Sequence, residues 1–111
     1  MFEEPALDDG PVLVTLKYFI DPTKASEFLK LVYRYQRVRR RDGATQWGIF
    51  SDTEAPNVYL ESFLVDSWAE HLRQHDRFTL ADRELEKRVQ SYAFKPIEVK
   101  HYVHAQRGRR S

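Results

Sequence analysis

ESFLVDSWAEHLRQHDRF, residues 61–78, passes from the end of an apolar strand into a short helix, and its reading decides the fold. Tyr59, Glu61, Phe63 and Val65 alternate with Val58, Leu60, Ser62 and Leu64, the period of two that marks a strand, and both faces carry apolar residues. Such a strand is expected to be covered on both sides. Asp66 or Ser67 supplies a capping oxygen for the helix that follows. Glu70, three residues after Ser67, completes a capping box for the unbonded N–H groups of the first turn. The helix is therefore expected to start at about Trp68. His71 and His75 lie four apart, hence on one face, and Trp68 and Leu72 make a second, more apolar pair at the same spacing.

Upstream, Val12, Val14, Leu16, Tyr18 and Ile20 alternate with Leu13, Thr15, Lys17 and Phe19. This predicts a first strand with one apolar face to pack on helices and one mixed face. Asp21 and Pro22 form a helix start, with a capping carboxylate followed by a residue whose missing N–H costs nothing there. Phe28, Leu31, Val32, Tyr35 and Val38 recur at three and four, the apolar stripe of a long helix reaching about Asp42. Arg34, Arg37, Arg39, Arg40 and Arg41 crowd its last turns, where the helix dipole favours cations, and Gly43 stops it. Thr45 to Ser51 reads as a second strand, with polar residues 52–57 turning into the third.

Downstream, Thr79 and Asp82 form another cap, Ala81, Leu85, Val89 and Tyr92 carry an apolar stripe through a further helix, and Lys95-Pro96 ends it. Ile97, Val99, His101 and Val103 then alternate with Glu98, Lys100, Tyr102 and His104 as a last strand. The order is strand, helix, strand, strand, helix, helix, strand. It predicts an α+β, ferredoxin-like βαββαβ fold with an antiparallel four-stranded sheet and a second helical connection split in two. The mixed outer face, taken to carry Leu13, Phe19, Trp47 and Phe63, is too apolar for solvent, so a homodimer through the sheet face is expected.

At 111 residues, 41% apolar and 14% aromatic, the chain can build one core without staples. That domain is placed at 11–105, between a flexible arm at 1–10 and a disordered basic tail at 106–111. The absence of cysteine excludes disulfides, thiol chemistry and cysteine-containing metal sites, and fits a reducing compartment. No apolar run approaches the roughly 18–20 residues that cross a bilayer. The opening MFEEPALDDG is acidic where a signal peptide is basic and then apolar, so a cytoplasmic chain with no membrane insertion is expected. A net charge of +1 argues against a nucleic-acid partner. The charge is nonetheless uneven: acidic at 3–9, basic at 34–41 and 107–110, the arginines reading as a solvated helix end. There is no glycine-rich phosphate loop and no glycine-flanked nucleophilic serine.

The spacing of Glu61, Phe63, His71 and Phe78 resembles the antibiotic-biosynthesis-monooxygenase-like domains of the dimeric α+β barrel superfamily. In those domains a strand reading glutamate, any residue, aromatic leads into a helix with a histidine near its middle. A narrower resemblance takes in PVLVTLKYFID at 11–21, RRRDGATQWGIFSD at 39–52 and ESFLVDSWAEHLRQHDRFTLADREL at 61–85. It is to the soluble C-terminal domain found on one group of major-facilitator transporters, the transmembrane secretion effector family, and it covers most of the chain. The resemblance implies a dimeric α+β barrel and two functions. One is a small stand-alone ligand-binding or regulatory domain. The other is a cofactor-independent monooxygenase acting on a polycyclic aromatic or quinol, with His71, at the family's histidine position, as general base. Haem-degrading relatives pair an asparagine on the first strand with a tryptophan and a histidine. Here that strand offers Thr15 and Lys17, and Phe63 stands where many relatives have tryptophan, so neither haem nor another cofactor is expected.

Read from the residues themselves, Tyr18, Trp47, Tyr59, Phe63 and Trp68, with His75 as a polar neighbour, could line a cavity for a small aromatic ligand or serve as ordinary core and interface. The ordinary pKa of histidine suits general acid or base work, which makes His71 a candidate for it. His71 and His75 also have the spacing by which paired imidazoles hold zinc, with Asp76, His101 or His104 as the candidates for a third ligand. Leu72 follows His71 where a zinc hydrolase has glutamate, and His101 and His104, three apart on a strand, point to opposite faces. No metal site is expected.

Overall fold

Val12, Val14, Leu16, Tyr18 and Ile20 are all buried, so the apolar face of the first strand is the inner face of the sheet. In a computed structural model describing residues 4–105, that strand is β1 (Val12–Phe19) and it occupies a central position. It pairs antiparallel with β3 (Val58–Val65) on one side and β4 (Glu98–Val103) on the other, and β2 (Thr45–Ser51) pairs with the far edge of β3. The sheet order is β2-β3-β1-β4, the ferredoxin-like arrangement expected from the order of elements. The basic tail assigned to 106–111 and the first three residues of the arm lie outside the described residues.

The inner face is covered first by α1 (Ala25–Arg41), whose Phe28, Leu31, Val32, Tyr35 and Val38 are buried as their spacing requires. The helix starts later than Asp21-Pro22 suggests. Asp21 Oδ1 accepts from the Thr23 N–H at 3.0 Å, which holds Pro22–Lys24 in a tight 3₁₀ turn before the α-helix begins at Ala25. Gly43 ends the helix at a φ of +102°, a left-handed conformation that a side chain disfavours.

The second connection is two short helices, α2 (Trp68–Asp76) and α3 (Leu80–Gln90). Ser67 Oγ accepts from the Glu70 N–H at 3.1 Å, but the Glu70 carboxylate turns to Arg73 and Arg77, so only half of the expected capping box forms. The arm serves the other N–H groups of that turn. Trp68 N–H donates to the Asp9 carbonyl at 2.8 Å and Ala69 N–H to the Leu7 carbonyl at 2.9 Å. Gly10 packs so close to Asp66 that a β-carbon would lie 2.2 Å from its carbonyl oxygen. Of the arm placed at 1–10, the part around Leu7–Gly10 is thus held against the start of α2. Thr79 and Asp82 form a complete capping box on α3. That helix ends at Gln90 rather than at Lys95, because Ala93 bridges to Ile20 and the Phe94 N–H donates to the Phe19 carbonyl, drawing the chain back to the sheet.

The strand register corrects one expectation. Phe63 lies opposite Val14 and Glu61 opposite Leu16, and cross-strand partners share a face, so both point inward. Trp47 also turns inward: a bulge between Thr45 and Gly48, with Gln46 at a φ of +50°, re-aims it toward Tyr33 of α1. The outer face is left with Leu13, Lys17, Phe19, Phe50, Leu60 and Tyr102, not Phe63 and Trp47. Among the described residues, helices cover β3 on its inner side and none covers its outer side.

Replacing fully buried Phe28 by alanine should lower unfolding free energy by about 3–5 kcal/mol, whereas Leu80→Ala, at an exposed position, should stay within about 0.5 kcal/mol. Urea titration monitored by circular dichroism checks this, and equal effects at the two positions would contradict the assigned core.

Candidate ligand-binding site

Glu61 is a carboxylate in the middle of the inner sheet face, 1% exposed, and the surrounding residues are arranged to receive it. Arg39 Nε donates to Oε2 at 2.8 Å and Arg39 Nη2 to Oε1 at 3.2 Å. The Tyr18 hydroxyl donates to Oε1 at 2.8 Å and Trp47 Nε1 to Oε2 at 2.8 Å. Arg39 reaches this site because it follows Tyr35 by four residues and continues the buried stripe of α1. Its guanidinium lies over the Tyr35 ring at 4.7 Å and the Phe63 ring at 4.9 Å, so its faces meet aromatics while its edge meets carboxylate.

Burial alone would raise the Glu61 carboxyl; the Arg39 charge and the three hydrogen-bonding side chains outweigh it and hold the pKa below its ordinary value. Burial also works against the Arg39 cation, and the Glu61 charge reverses that, leaving the guanidinium more firmly protonated than in water. Burial, reinforced by the Glu61 charge, pushes the Tyr18 phenol well above its usual range. Glu61 is therefore a fixed anion with both oxygens occupied, an anchor and not a proton acceptor.

Above this anchor a cleft of about 510 Å³ opens between the inner sheet face and the helices. Val14, Leu16 and Phe63 form an apolar floor, Val99 and His101 come from β4, and Arg39, His71, Phe78, Arg83 and Glu86 stand around it. His101 faces the helices because it lies opposite Val14 in the β1–β4 register. The His71 and His101 rings meet at 4.5 Å, and both pack on Trp68, at 5.2 Å and 5.6 Å. Trp68 is itself buried. The arrangement offers a planar apolar surface bordered by cationic and hydrogen-bonding groups, which suits a small flat molecule carrying a polar edge. Among the described residues no three or more His, Cys, Asp or Glu side chains group to hold a metal ion.

The residues singled out from sequence divide accordingly. His71 and Phe63 line the cleft. Tyr18 and Trp47 lie beneath it as donors to Glu61, Tyr59 packs on Phe28 in the core at 5.7 Å, and Trp68 supports the histidines from behind. The side chain of His75 lies outside the described residues. Arg39 was missed as a site residue because its place in a run of arginines reads as helix-end solvation. The signal was available: a glutamate between Tyr59 and Phe63 on an inward strand face demands a cation, and Arg39 is the arginine in register with Tyr35. His101 and Arg83 carry no comparable signal, since only the assembled sheet and helices bring them to one cleft.

This sheet and its helices form a ferredoxin-like α+β fold found in several solved structures. The fold is shared with a putative antibiotic biosynthesis monooxygenase from Caulobacter crescentus (TM-score 0.76, 14% identity, 90% of this chain and 94% of that one). It is shared too with SnoaB, a cofactor-independent oxygenase from Streptomyces nogalater (TM-score 0.70, 12% identity, 88% of this chain and 96% of that one). A conserved protein from Methanosarcina mazei matches with a TM-score of 0.70 at 16% identity, over 82% of this chain and 89% of that one. At such identities the likeness is one of fold. The chain belongs to the transmembrane secretion effector family, whose model matches residues 3–109. No curated protein matches it. Among the described residues no helix is long and apolar enough to cross a membrane.

Removing the Glu61 charge while keeping its shape, with Glu61→Gln, should cost about 3–5 kcal/mol at neutral pH by leaving Arg39 buried and unpaired. Because the folded pKa of Glu61 is lowered, its stabilisation is complete above the unfolded value of about 4.3 and is lost as pH falls from there through the folded value. The gap between wild-type and variant urea midpoints, measured from neutral to acid pH, should be constant above about pH 4.3 and narrow steadily below it. Parallel profiles would show that Glu61 is not the ionised anchor.

Proposed function

We propose that this chain is a small ligand-binding domain whose site is the inner-face cleft, with a regulatory role for the bound molecule in the secretion-effector setting. The observation that carries the reading is the cleft itself. Its volume of about 510 Å³ lies in the range of small-molecule pockets, and its apolar floor of Val14, Leu16 and Phe63 is bordered by a few polar groups. A flat aromatic compound fits that composition. A homodimer through the outer sheet face belongs to the same reading. Phe50 is 57% exposed there, with Leu60 next to it and exposed Tyr102 on the opposite edge strand, and pairing two such faces would remove that apolar area from water.

A second reading is favoured by His71, which lies in the cleft beside His101. In it the domain is a cofactor-independent monooxygenase. His71 takes a proton from a polycyclic aromatic or quinol, O₂ adds to the resulting carbanion, one oxygen stays as a ring carbonyl and the other leaves as water. The fold likeness to SnoaB is compatible with this. Oxygen uptake separates the two: a ligand that binds and raises the melting temperature without consuming O₂ supports the binding domain.

A panel of planar aromatic compounds should include one that stabilises the protein by about 2.7 kcal/mol at a hundredfold excess over its dissociation constant, read by thermal shift. Val99→Trp, which fills the cleft from the half-exposed edge strand, should abolish that gain, while Leu60→Ser on the outer face should keep it. Loss by Leu60→Ser with retention by Val99→Trp would place the ligand elsewhere. Light scattering should give about twice the chain mass of 13.2 kDa, falling to a single mass in Leu60→Glu. A single mass for the wild type at micromolar concentration would remove the dimer from the reading.

A further inference from the structure

Lys30, Tyr33, Arg34, Arg37 and Arg40 are all exposed and fall at intervals of three and four on the solvent side of α1, opposite its buried stripe. From Phe28 to Arg41 the helix contains no acidic residue. At 1.5 Å per residue, the four cations extend over about 15 Å of one helix flank.

Four of the other arginines are held in ion pairs. Arg39 is paired with Glu61, Arg41 with Asp82 and Asp42, and Arg73 and Arg77 with Glu70. On α3, Arg83, Lys87 and Arg88 are interleaved with Glu84 and Glu86. Among the described residues, Lys30, Arg34 and Arg37 have no carboxylate within ion-pair distance, although the whole chain carries almost as many acids as bases. Lys17, Lys87, Arg88, Lys95 and Lys100 lack one as well, but only on this flank of α1 do four exposed cations gather on one helix with no acidic residue among them. Tyr33 stands within that face at 55% exposure, its ring edge against Trp47.

We infer that this face of α1 docks on the anionic headgroups of a lipid bilayer, peripherally and without insertion. A layer of anions accepts long, flexible cationic side chains spread over one helix flank without needing a complementary shape, and Tyr33 suits the boundary between headgroups and water. A nucleic acid fits less well. The net charge of +1 gives no strong general field, and the row lies on an open helix flank with no exposed aromatic platform beyond Tyr33. The inference rests on this face alone and is independent of what the inner-face cleft holds.

The test is co-sedimentation of the full chain with vesicles of phosphatidylcholine alone and of phosphatidylcholine mixed with phosphatidylglycerol, at low and high salt. Binding is expected only to the mixed vesicles, weakening as salt rises. Each charge removed should weaken it about fivefold, so the triple change Arg34→Gln, Arg37→Gln, Arg40→Gln should lower it about a hundredfold with an unchanged melting temperature. Replacing the same three by lysine should keep it, as should Lys87→Gln with Arg88→Gln on α3. Absence of binding to the mixed vesicles, equal binding to phosphatidylcholine, or retention by the triple glutamine variant would overturn the inference. So would tighter binding to duplex DNA or to an acidic polypeptide at the same salt, since the partner would then be another polyanion.

Discussion

The Arg39–Glu61 pair is the constraint to which the rest of the structure answers. A carboxylate on the inner face of a sheet must be neutralised and hydrogen-bonded or it destabilises the fold by several kcal/mol. Meeting that demand ties together the last turns of α1 through Arg39, the central strand through Tyr18, and the edge strand β2 through Trp47. The bulge at Gln46 follows from it: without that break in register Trp47 would not be turned toward Glu61. An apolar pair of similar volume could hold α1 to the sheet about as well, so the ionic solution contributes position more than stability. It fixes one guanidinium between two rings at the wall of a cleft.

The cleft in turn follows from how the helices divide the inner face. The long α1 covers the core of β1 and β3, and α3 packs against α1 rather than running along β4. β4 is left as an edge strand whose inward Val99 opens onto the cleft, while inward His101 meets His71 and Trp68 of α2. Splitting the second connection into α2 and α3 is what produces that opening, and the docking of Leu7 and Asp9 on the first turn of α2 holds its near wall in place. The domain therefore has three distinct faces: an inner cleft, an apolar outer sheet, and a cationic helix flank.

Most of the fold was legible because its signals are local and periodic. The alternation in β1 and β3 marks their limits to within a residue, the segment placed at 45–51 is β2, and the buried stripe of α1 was read residue by residue. Periodicity names two faces without saying which is inside, and there the reading went astray. Phe63 was assigned both to a face with Glu61 and to the outer sheet, and only the pairing of Phe63 with Val14 decides between them. The family likeness fixed architecture from Glu61, Phe63, His71 and Phe78, yet the residues now placed around the cleft include Arg39, Arg83 and His101, from three different elements. No spacing in the chain relates those three. The capping of α2 shows the same limit, since its sequence signature is complete but Glu70 is drawn away by Arg73 and Arg77.

The central claim, that the inner-face cleft is where this domain meets its ligand, is tested most directly by nuclear magnetic resonance titration of the labelled protein with a stabilising planar aromatic compound. Shift changes concentrated at Phe63, Gln74, Val99 and the His71 and His101 rings are the predicted result. Changes confined to Lys17, Leu60, Lys100 and Tyr102 on the outer face would contradict it.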